Sequence, residues 1–477
     1  MLFSHLDADV LSHIFALTDV YTILSLGQVN KYFHEISSAK HLWIAIVRGL
    51  ALRRLVDAPS DEVLETLSKN ALVDEVRRVV CGPSTWSLTS LDPPMLSRQT
   101  TISLQYPYRH AELLPGGMHI VFSWAGAMGE GFQCWDVHAH RQVWSWERPG
   151  RQAREAKFDF RAGESEAVVA LVVSTEIANN YEILVLDVNL TTGDSHDLFH
   201  LPTGDGFPTD MQISGDFLAF RATVYWFVDL RSFVVLVNWR TADVIVFYLV
   251  SQESNFSLLP DHIILVCPGA TWGIPAHLRL YSISSLSSLW HPMDHLDVAT
   301  YIIAVNLGDI PFVTCNIPAS HRNHDLWGNL SISVVPSPIH DAAYDCVVEV
   351  ITSRHQPPPR PTCLLARLRS RLRSRPIRSS PITTIVTRAH FTFSLPSPQF
   401  VPTSVVHHQK DLPLTARSRY DWVVRDGLPI VVHGRDETEV ARGRDLPGMR
   451  GASHVRLVHS GAVLAIYPSQ AVVSYYR

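Results

Sequence analysis

The side chains best able to do chemistry are scattered through this sequence rather than grouped. Six cysteines, Cys81, Cys134, Cys267, Cys315, Cys346 and Cys363, lie far apart, with no C-x-x-C and no histidine pair at zinc-finger spacing beside them. Disulfide frameworks use dense, paired cysteines, so these read as reduced thiols, which suits a cytoplasmic or nuclear protein. His407-His408 read as a lone pair in a polar loop, too few ligands to hold a metal. Gly126, Gly129 and Gly131 follow an apolar run, but their spacing fits no phosphate cradle. The sequence contains no G-x-S-x-G elbow, no G-x-x-x-x-G-K-[ST] loop, no H-E-x-x-H and no dinucleotide fingerprint. No metal, cofactor or catalytic residue is therefore nominated, and recognition is the chemistry left. Acid and base groups converging from distant strands keep an enzyme open as an alternative.

Composition narrows the partners. The 477 residues are 46% apolar and 18% charged, as in a folded soluble protein. With a net charge of −5, nothing global recruits nucleic acid or an anionic membrane. The most apolar stretch, Val224 to Val250, is interrupted by Asp229, Arg231, Arg240 and Asp243. Each charge would cost about 2.5–3.5 kcal/mol at a bilayer centre, so the stretch reads as buried strands. Residues 1–20 lack a basic leader and carry Asp7, Asp9 and Asp19, so secretion is not expected. The sequons at Asn189, Asn255 and Asn329 then read as accidents of composition.

The elements that position a binding surface begin at the N-terminus. Val10, Leu11, Ile14 and Phe15 recur at helical spacing, with Asp7 and Asp9 at the positive end of that helix. Thr18-Asp19 supplies a stop and a new cap. Ile23, Leu26, Val29, Phe33 and Ile36 follow on one side, with a bend at Gly27 and Asn30, and Leu42-Trp43 open a short segment ending near Gly49. A unit of about fifty residues has little interior. This one also carries Leu6, Leu17, Tyr21, Leu24 and Tyr32, so some apolar groups must face a partner or the rest of the chain.

These residues resemble an F-box. The run Leu6-Asp7-Ala8-Asp9-Val10-Leu11, then Ile14-Phe15 and Leu17, is similar to the family's opening L-P-x-E/D-h-L-x2-I-F-x-h-L, where h is apolar. Leu24, Leu26 and the segment Val29 to Ile36 resemble its middle, and His41-Leu42-Trp43 its closing L-W. The likeness spans about a tenth of the chain. Asp7 stands where the family has Pro and Phe33 where it has Trp. Asp7 is expected to cap the helix that Pro would have preset, and Phe33 to keep an aromatic anchor of smaller area. By that resemblance the module binds a Skp-type adaptor, which links it to a cullin–RING ubiquitin ligase. The implied adaptor-binding residues are Leu6, Val10, Leu11, Ile14, Phe15, Leu24, Val29, Phe33, Leu42 and Trp43, across an interface of roughly 1,600 Å². The implied mechanism is scaffolding, which raises the local concentration of a substrate lysine without covalent chemistry.

Residues 51–83 read as a helical connector. One helix starts at Ser60-Asp61-Glu62, and a second runs through Leu72, Val76 and Val80 to Gly82-Pro83. It is either a spacer that sets the distance from adaptor to substrate or an ordinary packed helix pair. From residue 84 to 477 the pattern becomes short β runs between turn signals. A strand–turn–strand module recurs at Phe132–Trp146, Tyr181–Asp194, Phe233–Val250 and His277–Ser288. Aligning Trp135, Leu186, Asn238 and Tyr281 gives a period near that of four-stranded propeller blades, with a non-propeller β domain as the alternative. Runs at Met118–Trp124, Ala167–Ser174, Phe217–Phe220 and His262–Cys267 supply further strands, and Ala462–Tyr467 and Ala471–Tyr476 are placed to close a ring.

The Arg-, Pro- and Ser-rich stretch near 354–381 reads as a disordered insertion between blades or as translated intron-like sequence, and alternatively as a tract for an acidic partner or for nuclear import. The expected fold class is α+β multidomain: a three-helix F-box at 1–50, the connector, then an all-β, propeller-like domain that holds an unknown protein substrate. A ligase-independent scaffold that uses the same adaptor is the alternative function.

Overall fold

The computed structural model describes residues 6–81, 95–293 and 312–476, apart from connecting segments of which the longest are 268–276, 318–325, 356–381, 410–421 and 432–453. The chain opens with helices α1 (Ala8–Ala16), α2 (Val20–Leu26), α3 (Lys31–Ser37), α4 (Lys40–Leu52), α5 (Asp61–Thr66) and α6 (Lys69–Cys81). Everything described after Leu96 is strand or turn, save one 3₁₀ segment at Ile283–Leu289.

Caps explain where the helices start. The Asp7 carboxylate accepts from the Asp9 N–H at 3.5 Å, Asp19 from the Thr22 N–H at 2.7 Å, and the Asn30 carbonyl oxygen from the Phe33 N–H at 2.8 Å. Gly27 ends α2 where a Cβ would lie 2.6 Å from Ser37 Oγ, so α2 and α3 meet closely only because this residue has no side chain. Two expectations change here. Four helices, not three, fill the first fifty-odd residues, and α4 runs through Gly49 to Leu52 instead of stopping near it. A mid-helix glycine costs about 1 kcal/mol. Leu42, Trp43, Ile44, Ile46, Val47 and Leu50 are buried along the same helix, and their packing offsets that cost.

The β region is a series of antiparallel meanders. Its sheets are β2 (Tyr108–Leu113) to β5 (Arg141–Glu147) through β3 (His119–Gly126) and β4 (Gly129–Asp136); then β6 (Arg151–Phe160), β7 (Glu166–Thr175), β8 (Tyr181–Asn189) and β9 (Ser195–Pro202). The third holds β10 (Phe207–Ser214), β11 (Phe217–Trp226), β12 (Asp229–Asn238) and β13 (Asp243–Tyr248), with β17 (His291–Pro292) added at its edge. The fourth holds β14 (Asn255–Leu259), β15 (His262–Cys267), β16 (His277–Ser282) and β18 (Val313–Asn316), and the fifth β19 (Leu326–Pro336), β20 (Ala343–His355), β21 (Ile382–Ser394) and β22 (Val401–Gln409). A sixth joins β1 (Leu96–Ser103) to β25 (His454–Leu457), β26 (Ala462–Tyr467) and β27 (Gln470–Tyr476). A separate hairpin pairs β23 (Trp422–Arg425) with β24 (Leu428–Val431).

Side-chain alternation stacks these sheets. Along β7, Ala167, Val169, Leu171 and Val173 enter the core shared with β2–β5, while Val168, Ala170 and Val172 enter the core shared with β10–β13. A strand apolar at every position is therefore one covered on both faces. Val234 and Leu236 of β12 likewise face β14–β16, whereas Phe233, Val235 and Val237 face β7 and β8. Further cores join β14–β18 to β19–β21, and the β1–β27 sheet to β2–β3. Among the described residues, five four-stranded sheets and one of five strands, packed through these shared cores and with β1 completed by strands from the far end of the sequence, form a propeller-like β domain.

Several sequence expectations are corrected by this topology. The repeat register shifts: the equivalent positions are Asp136, Asn189 and Asn238 at the ends of β4, β8 and β12. Each side chain accepts from the N–H groups two and three residues on. Four residues after each stands a left-handed residue, His140, Gly193 or Ala242. The fourth copy lacks this turn and forms the 3₁₀ segment in its place. His407 and His408 lie in β22 opposite Thr387 and Val386, so they are not in a loop. The Arg-rich stretch leaves from the paired ends His355 and Ile382, within one sheet and not between two; residues 356–381 themselves lie outside the described residues. Gly126, Gly129 and Gly131 belong to the β3–β4 hairpin. At Gly131 a Cβ would meet the Trp146 carbonyl oxygen and the Trp124 ring, so the glycine there serves packing.

Candidate docking site

Helix α1 carries two apolar stripes. Leu11 and Phe15, four apart, point inward and are 1% and 2% exposed. Val10, Ile14 and Leu17 point outward, and Leu17 is 73% exposed. An amphipathic helix in a self-contained unit carries polar residues on that second face. The same pattern continues on α2, where Val20 and Ile23 are buried while Tyr21 and Leu24, three apart, face out. Val29, 64% exposed between α2 and α3, extends the apolar surface.

The ten residues expected to bind an adaptor therefore divide. Val10, Ile14, Leu24 and Val29 lie on the outward face. Leu11, Phe15, Leu42 and Trp43 lie in the helical core, where they hold the helices together. Four helices enclose enough volume to take these side chains inside, which a three-helix reading did not allow for. Trp43 also donates its indole N–H to the Ser37 carbonyl at 3.0 Å, tying α4 to the end of α3. Leu6 and Phe33 are partly buried against this core, with the Phe33 ring 6.0 Å from that of Phe15 and 5.9 Å from that of Tyr32. Leu17 and Tyr21 are surface residues that the docking set omitted. Leu17 follows Val10 and Ile14 at helical spacing, four and then three residues on, and that spacing is the signal that marks it.

One turn of the β domain borders this face. The Tyr21 N–H donates to the Ile339 carbonyl at 3.3 Å, and its ring lies 5.1 Å from that of His340. His340 Nδ1 stands 3.1 Å from Asp19 Oδ2, and Arg53 Nη1 donates to the Ser337 and His340 carbonyls at 2.8 and 3.3 Å. Partial burial pushes the Asp19 carboxyl up, but hydrogen bonds from Thr22 and His340 outweigh it and hold the group below its ordinary value.

A second group of ionisable side chains lies on the first strands of adjacent sheets. Lys157 Nζ is 3.1 Å from Glu112 Oε2, and His110 Nε2 is 3.7 Å from the same oxygen. Burial raises the Glu112 carboxyl, yet His110 and Lys157 overcome it and hold it at about 2. Glu155 is pushed up by burial, with the neighbouring Asp210 and Glu112 carboxylates adding to the effect. Asp159 accepts from the Gly215 N–H at 2.7 Å, and Gln212 pairs with the backbone of Phe256 and Leu258. These contacts join neighbouring sheets along one side, so the ionisable groups act as inter-sheet ties. Among the described residues no three ligating groups are placed to hold a metal ion, and no helix is long and apolar enough to cross a membrane.

No protein-family model matches this sequence, and no curated protein matches it. Solved structures do show a distant likeness to this chain. Hsv2 of Kluyveromyces marxianus is 11% identical, with 76% of this chain and 90% of that chain covered and a TM-score of 0.38. The WD40 domain of SCAP from fission yeast is 8% identical over 78% of this chain and 84% of that one, at a TM-score of 0.26. The Dos1 propeller is 10% identical over 80% and 95%, at 0.36. Likenesses this distant leave the fold to the strand order and stacked cores described above.

Proposed function

We propose that this chain is a substrate receptor of a Skp–cullin–F-box ubiquitin ligase. The helical module binds the Skp-type adaptor, and the β domain holds a protein to be ubiquitinated. The observation that carries this reading is the outward apolar face of α1 and α2. Val10, Ile14, Leu17 and Leu24 sit on a unit whose interior is already filled by Leu11, Phe15, Ile23, Leu42 and Trp43. A face this apolar, built on residues that resemble the F-box pattern, is suited to a partner helix surface. The propeller-like stack supplies loops at its ends for protein recognition, and the pair of modules would act by proximity alone.

The test is co-purification of a Skp-type adaptor with the full chain, compared with the double variant Val10→Asp, Ile14→Asp. Loss of the adaptor and its cullin from the variant supports the proposal. An adaptor retained undiminished by the variant sinks it. An adaptor present without a cullin would point to the ligase-independent scaffold.

A further inference from the structure

The turn between β19 and β20 is built to present its carbonyls to the helices. Ser337, 4% exposed, uses its hydroxyl oxygen to accept from the Ile339 and His340 N–H groups at 3.3 and 3.2 Å, while its own N–H donates to Ala343 O at 2.8 Å. The Ser337, Ile339 and His340 N–H groups are thus engaged within the β domain. Its Ser337, Ile339 and His340 carbonyls point the other way, toward Arg53 and the Tyr21 N–H. The contact falls beside the outward apolar face, not behind it. Tyr21, whose ring lies tilted against that of His340, shares that face with Leu24 one helical turn away, and both are half exposed or more. Asp19 and Tyr21 stand in sequence between the exposed Leu17 and Leu24, and both touch His340.

We infer that the docking face is composite: the adaptor seated on Val10, Ile14, Leu17 and Leu24 continues across the Tyr21–His340 pair onto the Ser337–His340 turn of the β domain. The inference rests on the ligase reading and adds to it. Within the chain, Asp19, Tyr21 and Arg53 already tie the turn to the helices. An adaptor touching both helix and turn would clamp that joint, and with it the direction in which a substrate is offered. The surface is continuous with an interface already formed within the chain, and the Tyr21 ring supplies it with a half-exposed aromatic anchor of the kind that dominates binding energy.

The experiment titrates full-length protein with a recombinant Skp-type adaptor. Val10→Asp tests the underlying reading, and if it leaves affinity unchanged that reading falls. Tyr21→Ala and His340→Ala test the composite surface, each expected to raise Kd about 5- to 20-fold. Ile339→Cys, carrying a short thiol-reactive cross-linker, is expected to capture the adaptor. Binding within twofold of wild type for both alanine variants, while Val10→Asp abolishes it, overturns the inference and spares the ligase reading. Weakened binding with no cross-link from Ile339 also overturns it, because the loss would then come through the intramolecular joint alone.

Discussion

Val10 and Leu11 are neighbours in one helix and are expected to fail in opposite ways. Leu11 is 1% exposed and packs in the helical core. Truncating such a leucine to alanine costs about 2–5 kcal/mol through lost transfer energy and the cavity left behind. At about 1.4 kcal/mol per tenfold, amide exchange in α1 and α4 should accelerate by roughly 30- to 3,000-fold. Val10 is 48% exposed, so Val10→Asp should change stability by no more than about 0.5–1 kcal/mol. In a bound complex it forfeits the remaining burial of a valine, about 1 kcal/mol, and leaves a carboxylate facing an apolar partner, for several kcal/mol more. The adaptor should therefore bind at least about 100-fold more weakly to Val10→Asp. Hydrogen exchange on the full chain and calorimetric titration with the adaptor separate the two effects. The reasoning is refuted if Val10→Asp loosens α1 and α4 as much as Leu11→Ala, or if Leu11→Ala leaves exchange unchanged.

Three further outcomes follow from the geometry. Gly131→Ala should destabilise the β2–β5 sheet by more than about 2 kcal/mol, since the new Cβ meets the Trp146 backbone oxygen and backbone cannot swing aside; a denaturant midpoint equal to wild type would contradict it. Gly27→Ala should cost stability that Ser37→Ala partly restores, because Ser37 Oγ is the atom in the way, and a double-mutant cycle with no coupling would refute the close approach of α2 and α3. Glu155 has a raised pKa in the fold, so its contribution to stability is complete below the ordinary carboxyl value near 4.5 and is lost as pH rises through the folded value. Glu155→Gln should then gain on wild type between acid and neutral pH, and parallel stability curves across that range would show the burial assignment to be mistaken.

How much of this was legible in the sequence varied with the kind of signal. The buried strands were plain, since runs such as Ala167–Val173 are apolar at every position and fit strands covered on both faces. The helical caps Asp7, Asp19 and Asn30 were visible as residue types at the right places. What periodicity could not decide was which of two apolar stripes faces in. Val10 and Leu11 are equally greasy, and only the fourth helix, whose Leu42 and Trp43 fill the interior, assigns Leu11 inward. The repeat was found in the wrong register because it was aligned on strand residues. Its physical anchor is the turn, where Asp136, Asn189 and Asn238 hold the following N–H groups. The Ser337–His340 turn gave no local signal, because its role depends on helices some three hundred residues earlier in the chain.

The sixth sheet sets an order of assembly. Strand β1 emerges from the ribosome more than three hundred residues ahead of its partner β27, with Ile102 opposite Ala471 and Ser103 opposite Gln470. The six helices need nothing beyond Cys81 to bury their core and can be complete long before that pairing exists. During synthesis the chain thus carries a finished helical unit and an unfinished β domain. A nascent chain halted before β26 would keep the helices while β1 waited without its strand, so closure of the sixth sheet waits on Ala462–Tyr476.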